Sequence, residues 1–197
     1  MKKILIIGGG IAGCSAAYLL SKEGFEVDLK EKEDHLGGHT SESEKDGVRY
    51  SLYGPHIFHT SAPEVIHFAL ETTEWGGYIN SPVALSDGVF YHLPMSYDTI
   101  QDGKRNGKTE EQLVELLFHE YTLKQWGKLT EETKENIKRL PKDTEHFGHG
   151  YFKDVFQGIP VNGFQKWCED LVNHSNITVS LNYQFDEKDL YDDKYLS

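Results

Sequence analysis

Residues 4–31 read ILIIGGGIAGCSAAYLLSKEGFEVDLKE, and the order of pieces in this stretch decides the fold. Ile4 to Ile7 form a continuous apolar run, the pattern of a parallel strand buried on both faces. Residues 11–23 begin with small side chains, carry Leu19 and Leu20 further on, and meet Gly24 where a glycine would end a helix. Residues 25–29 read as a second strand, and Glu31 lies just beyond its end. Gly8, Gly10 and Gly13 therefore spell GxGxxG between a strand and a helix. The first glycine permits the tight turn, the second lets backbone approach a pyrophosphate, and the third lets helix and strand pack closely. The helix start, with Ile11 and Ala12 in its first turn, attracts phosphate charge. Glu31, 18 positions after Gly13, has close to the spacing of a carboxylate that binds ribose hydroxyls. The competing reading of the glycines alone is a plain structural turn. The expected fold is α/β, a Rossmann-type dinucleotide-binding βαβ.

The motif does not choose between NAD and FAD. Lys32 follows the acid, and Gly37, Gly38 and His39 come next with no room for another helix. That pair resembles the second glycine pair of FAD-binding flavoproteins of the amine-oxidase and glutathione-reductase type; an ordinary turn is the alternative. Residues 53–60, YGPHIFHT, allow three readings. A metal site is suggested by His56 and His59, whose spacing His146 and His149 repeat, but in an extended segment side chains three apart face opposite ways, and no HExxH occurs. A loop shaped by Gly54 and Pro55 is the plain alternative. The third is the wall of a cofactor pocket.

Several further segments decide among them. YGPHIFHT, NSPVAL at 80–85, YHLP at 91–94, YTLKQWG at 121–127, IKRLP at 137–141 and FQGIPVNGF at 156–164 occur in this order. Together they resemble the UDP-galactopyranose mutase family over essentially the whole chain. The resemblance implies FAD as cofactor, held by Gly8, Gly10, Ile11, Ala12, Gly13, Glu31, Lys32, Gly37, Gly38, His39, Tyr53, Gly54, Pro55 and His56. His56 is the residue expected nearest the isoalloxazine ring. Asn80, Tyr121, Thr122, Trp126, Phe152 and Phe156 are the expected substrate contacts, with Tyr121 against uracil and Trp126 lining the sugar site; core packing is the alternative for these two aromatics. The implied reaction interconverts UDP-galactopyranose and UDP-galactofuranose, with N5 of reduced FAD as nucleophile at the anomeric carbon and NAD(P)H as a possible reductant. The sugar could equally be an N-acetylated relative. An FAD-dependent oxidoreductase of the amine-oxidase type, or a non-catalytic nucleotide-binding remnant, are the other readings.

Two departures from the family stand out. Its lid arginine has no counterpart, the positions offering Lys142, Asp143 and Thr144, with Arg139 nearby, and Phe156 stands where a tyrosine is usual. Family members are substantially longer, so the chain reads as an N-terminal portion or a short relative, with an incomplete sheet.

Composition narrows the partners. Lys and Arg total 20 against 32 Asp and Glu, a net charge of −12, which repels a nucleic-acid backbone. The 2 cysteines, Cys14 and Cys168, follow neither a zinc nor a disulfide spacing and read as buried small hydrophobes. The early glycines break the apolar N-terminus, and no apolar run approaches membrane-spanning length, so a cytoplasmic protein is expected, with a homodimer possible.

The division expected is 1–60 for the FAD part, 61–150 for a hairpin and helical substrate and lid part, and 151–197 for the return. Ser61 and Glu64 suggest a capping box opening a helix over 62–74 that Gly76 and Gly77 end. Residues 78–85 and 89–93 flank Ser-Asp-Gly as a β-hairpin. QDGKRNGK at 101–108 reads as a polar loop, and Thr109 with Gln112 as a second capping box. Leu113, Leu116, Leu117 and Tyr121 form a helical core stripe. Helices are expected over 131–139 and 163–173, and a strand over 177–181.

Overall fold

A computed structural model of the chain describes residues 3–93, 95–128, 130–138 and 150–195. In chain order the elements are β1 (Ile4–Ile7), α1 (Ile11–Lys22), β2 (Val27–Lys30), β3 (Glu42–Lys45), β4 (Val48–Ser51), β5 (Phe58–Thr60), α2 (Pro63–Thr72), β6 (Trp75–Gly76), β7 (Val83–Ser86), β8 (Val89–His92), α3 (Tyr97–Arg105), α4 (Glu110–Val114), α5 (Tyr121–Trp126), α6 (Glu131–Lys138), β9 (Phe156–Pro160), α7 (Phe164–Val172) and β10 (Ile177–Ser180). They form two compact units, Met1–Tyr78 with Asp154–Ser197, and Ile79–Lys153.

The first unit holds the expected βαβ. Its parallel sheet runs β1-β2-β10, with Ile4 and Ile177 both opposite Val27. Alternation along the strands sends Val27 and Leu29 into the core, where Ile4, Ile6, Ile177 and Val179 pack beside them. Cys14 and Ala17 of α1 meet Trp167, Cys168 and Leu171 of α7 in the same core. Among the described residues β1 stands at the edge of this sheet, and Ile7 is 46% exposed, so β1 is not buried on both faces as its apolar run suggested. Gly24, at φ 87°, follows the end of α1 in the left-handed conformation a chain reversal there requires.

A second sheet, antiparallel and ordered β5-β9-β6, carries an aromatic cluster. Trp75 stands edge-on to Trp167 at 5.2 Å and to Phe156 at 5.4 Å, and Phe58 lies 4.8 Å from Trp75. Both indole N–H groups find acceptors, Trp75 on the Ala69 carbonyl at 2.8 Å and Trp167 on the Thr72 hydroxyl at 2.9 Å. Two expectations fail here. Ser61 does not cap α2, whose N-cap is Ala62; the Ser61 hydroxyl instead donates to Asp154 at 2.8 Å and accepts the Val155 N–H at 3.2 Å. Gly76 does not merely end the helix but pairs with Ile159 as part of β6.

In the second unit β7 and β8 form the expected hairpin, with Leu85 opposite Phe90 and a turn in which Asp87 (φ 52°) and Gly88 (φ 77°) both adopt positive φ, matching strand twist. The polar stretch 101–108 is no loop: most of it lies in α3. Ser96 and Thr99 cap that helix reciprocally, Thr99 also donates to the His92 carbonyl at 2.7 Å, and the Leu113 side chain fills the space beside Gly103. Tertiary packing thus overrides the low helix propensity of Gly103. The Thr109–Gln112 box caps α4 as expected. Leu113 and Leu117 are buried and Leu116 half-buried, but Tyr121 leaves the stripe, because Glu115–Glu120 widen into a π-helical stretch that shifts the phase of everything after it.

Candidate functional site

The glycine loop is built by β1 and α1. Gly8 turns the chain at φ 101° while its N–H stays on the Lys30 carbonyl at 2.8 Å. Gly10 is the N-cap of α1, contributes no side chain, and accepts the first helical bond from the Cys14 N–H at 3.0 Å. The amides of Ile11, Ala12 and Gly13 therefore fall in the first turn, whose N–H groups have no intrahelical acceptor, at the positive end of a 12-residue helix. At Gly13 a methyl group would clash with the Gly8 carbonyl oxygen, so only glycine lets α1 sit this close to β1.

The second glycine pair lies directly on this loop. The Gly37 N–H donates to the Gly9 carbonyl at 2.8 Å, and a Cβ on Gly38 would stand 3.2 Å from the Gly10 Cα. Gly37 and Gly38 both have positive φ, 101° and 54°. Hydroxyls of the next residues lock them: Thr40 donates to the Gly37 carbonyl at 2.8 Å and Ser41 to the Gly38 carbonyl at 2.7 Å. These two hydroxyls were not singled out in the sequence, although Ser and Thr just after a turn are the expected signal for such bonds.

Glu31 is 6% exposed and turned toward the loop. One carboxylate oxygen accepts the Gly9 N–H at 2.5 Å and the other the Glu33 N–H at 2.9 Å. Such charge-assisted bonds are stronger than neutral ones and tie the end of β2 to the glycine turn. Neighbouring Lys32 points to solvent beside Glu33 at 3.3 Å.

Residues 53–60 split into a loop and a strand. Tyr53 is exposed with its ring 5.3 Å from that of His39, and Gly54 turns the chain at φ 97° before Pro55. The buried Nε2 of His56 has no hydrogen-bond partner among the described residues. From Phe58 onward the segment is β5, and His59 bonds Asp154 through Nδ1 at 2.7 Å. Hydrogen bonds from His59 and then Ser61 hold the Asp154 carboxyl below the ordinary carboxylate value. Among the described residues no three His, Cys, Asp or Glu side chains cluster as a metal site; His146 and His149 lie outside them.

The residues expected at a substrate fall in both units. Phe156, opposite Thr60 on β9, is in the first, packed against Phe58 and Trp75. Asn80, Tyr121, Thr122, Trp126 and Phe152 are in the second. The Asn80 carbonyl accepts the Tyr151 N–H at 2.7 Å, and the Phe152 ring stands edge-on to Tyr151 at 5.1 Å. Tyr121 opens α5 and Trp126 closes it; they are 58% and 77% exposed, so neither is a core aromatic within its unit. Thr122 and Trp126, with Lys128, Thr130 and Thr133, line an open cleft of about 380 Å³. Arg139, Lys142, Asp143 and Thr144 lie outside the described residues, as does Pro94 of the YHLP segment.

Buried Cys14 donates to the Gly9 carbonyl at 3.2 Å. Contact with the Cys14 thiol, then burial, pushes the Cys168 thiol well above its ordinary range. No helix among the described residues is long and apolar enough to cross a membrane.

Residues 6–72 match the family model described as NAD(P)-binding Rossmann-like domain, and residues 116–196 the one described as UDP-galactopyranose mutase. A Klebsiella pneumoniae protein named Probable UDP-galactopyranose mutase is 30% identical over 93% of this chain and 56% of its own length. The dTDP-fucopyranose mutase of Escherichia coli is 31% identical over 92% of this chain and 56% of its own length. A crystal structure of reduced UDP-galactopyranose mutase shares the fold, with a TM-score of 0.62 and 19% identity over 91% of this chain and 48% of that one. The chain thus spans about half the length of the curated relatives it matches.

Proposed function

The chain is a relative of the UDP-galactopyranose mutases along the stretch it spans, and on that premise we propose that it is the FAD- and nucleotide-binding portion of a nucleotide-sugar mutase. The observation that carries this reading is the meeting of three features in one loop cluster: the Gly8–Gly13 turn, the Gly37–Gly38 pair seated on it, and the buried Glu31 carboxylate. They fit FAD because backbone with no side chains is what a pyrophosphate needs to approach, and the first-turn amides of α1 can donate to it.

In this reading the amides of Ile11, Ala12 and Gly13 neutralise the pyrophosphate, while Gly10 and Gly38 leave space for it. Glu31 has acceptor capacity beyond its two backbone bonds and takes the ribose hydroxyls. Tyr53, Gly54, Pro55 and His56 face the flavin; the unpartnered His56 Nε2 supplies a hydrogen bond there and fixes the ring's position. Lys32 and His39 complete the cofactor contacts. When bound and reduced, FAD supplies the nucleophile, N5, for the anomeric carbon, so no protein nucleophile is needed. Tyr121 and Trp126 offer exposed aromatic faces for the base and sugar, with Asn80, Thr122, Phe152 and Phe156 as further contacts. The substrate is a nucleoside-diphosphate hexose, UDP-galactose in the first instance; NAD(P)H is the external reductant, and the protein works in the cytoplasm, with a homodimer as its assembly.

The test is an FAD titration followed by absorbance, with dithionite reduction and then UDP against dTDP. A perturbed flavin spectrum that persists through gel filtration and shifts again with nucleotide supports the reading and justifies assaying furanose formation. A free-flavin spectrum throughout overturns flavin binding for this chain.

A further inference from the structure

The cleft lined by Thr122, Trp126, Lys128, Thr130 and Thr133 lies wholly within the second unit, and its walls follow from helix geometry. Thr122 and Trp126 stand four apart on α5 and so share a face. Gly127, at φ 67°, ends that helix with its N–H on the Leu123 carbonyl at 2.9 Å and reverses the chain, which brings Lys128 and Thr130 to the same opening. Thr133 follows in the first turn of α6, three positions after Thr130 and on the same side.

The cleft offers donors and no anion. None of its lining residues is acidic, in a chain with 32 Asp and Glu against 20 Lys and Arg. Lys128 is exposed and makes no hydrogen bond or ion pair with any described residue, whereas Lys108 and Lys134 in the same unit hold Asp87 at 3.1 Å and Glu131 at 2.7 Å. The threonines add a further donor. Thr130 Oγ1 accepts the Thr133 N–H at 3.1 Å and lies 2.7 Å from Thr133 Oγ1. One O–H serves the contact between the two hydroxyls, so the other is left to donate, whichever way the pair is arranged. An ammonium with no carboxylate, a spare hydroxyl and an exposed indole together match a ligand that joins phosphate to a ring.

We infer that Lys128 is the cation that holds the diphosphate of the nucleotide sugar, with the Thr130–Thr133 hydroxyl pair beside it and Trp126 against the sugar ring. This rests on the nucleotide-sugar reading of the second unit and adds the positive charge that the aromatic and hydroxyl contacts lack. A lysine suits the position because its ammonium is a compact charge on a flexible stem, able to follow a phosphate oxygen without fixed geometry. Its attraction acts on phosphate and not on the base, so Lys128 strengthens UDP and dTDP binding alike.

Calorimetric titration of the full chain with UDP, dTDP, uridine and inorganic pyrophosphate tests it, in wild type, Lys128→Met and Lys128→Arg. Expected is UDP binding tighter than uridine binding in wild type. Lys128→Met weakens UDP and dTDP about tenfold each, leaves uridine unchanged and flattens the salt dependence, while Lys128→Arg recovers most of the loss. Unchanged UDP affinity in Lys128→Met overturns the inference and leaves the nucleotide-sugar reading in place. An equal loss for UDP and uridine also overturns it, because the side chain then acts on the shape of the cleft and not on phosphate. Pyrophosphate binding as tight as UDP overturns the placement of a ring on Trp126. A wild-type chain that binds neither UDP nor uridine overturns both the inference and the reading it rests on.

Discussion

Replacing Gly13 by alanine separates steric need from mere sequence habit. The added methyl would clash with the Gly8 carbonyl oxygen and lie 3.1 Å from the Gly8 carbonyl carbon and 3.4 Å from the Ile6 side chain. The first two obstacles are backbone, so no rotamer change relieves them. Relief requires moving α1 off β1, which strains the Gly8 N–H bond to Lys30 and loosens the packing of Cys14 and Ala17 against α7. Overpacking of this kind costs about 3 kcal/mol, near the top of its usual range. That is about 150-fold in the folding equilibrium. With a urea slope of about 2 kcal/mol per molar, the midpoint falls by about 1.5 M. Urea unfolding followed by tryptophan fluorescence measures it, since Trp75 and Trp167 sit in the same unit as Gly13. Gly24→Ala is the matched comparison: it has positive φ but no heavy atom within 4 Å, so it carries only the left-handed backbone cost of about 1 kcal/mol. A Gly13→Ala midpoint within error of wild type, or equal losses for the two variants, would refute the steric argument.

Four further outcomes follow from the same geometry. Glu31→Ala leaves the Gly9 and Glu33 amides without their acceptor and should cost about 2–3 kcal/mol by urea unfolding and weaken FAD retention, while Glu31→Gln keeps part of the stability. Trp167→Ala, at a side chain only 2% exposed and touching Phe58, Phe68, Trp75 and Phe164, should cost about 4 kcal/mol by the same assay. Because His59 and then Ser61 depress the folded Asp154 carboxyl below the ordinary carboxylate value, its contribution is present above that value and is lost as pH falls through the lower folded one; thermal melts of Asp154→Asn and wild type should differ near neutral pH and converge in acid below the ordinary carboxylate range. Cys14 and Cys168 should resist a thiol reagent in the native chain even at pH 9 and react together on unfolding, and rapid native labelling of either would contradict the packing of α1 on α7.

What the sequence determined by itself was local chemistry. The glycine positions, the apolar runs of β1, the Asp87–Gly88 turn and the Thr109–Gln112 box each follow from the residues concerned, since backbone freedom, patterning and capping act over a few positions. The tight turn at Gly8–Gly13 and the position of Glu31 just beyond β2 were legible for the same reason. Tertiary structure decided the rest, because the controlling contacts are far apart in the chain. Leu113 packs into the space beside Gly103 and makes a helix of a stretch that reads as a loop; Asp154 takes Ser61 away from α2; and the π-helical stretch turns Tyr121 out of the stripe its spacing implied. Only the fold could show that Gly37 and Gly38 rest on Gly9 and Gly10, since a glycine pair by itself carries no address. The exposure of Ile7 is likewise a property of neighbours: four apolar residues predict a buried strand, and whether chain covers them depends on residues far away in sequence.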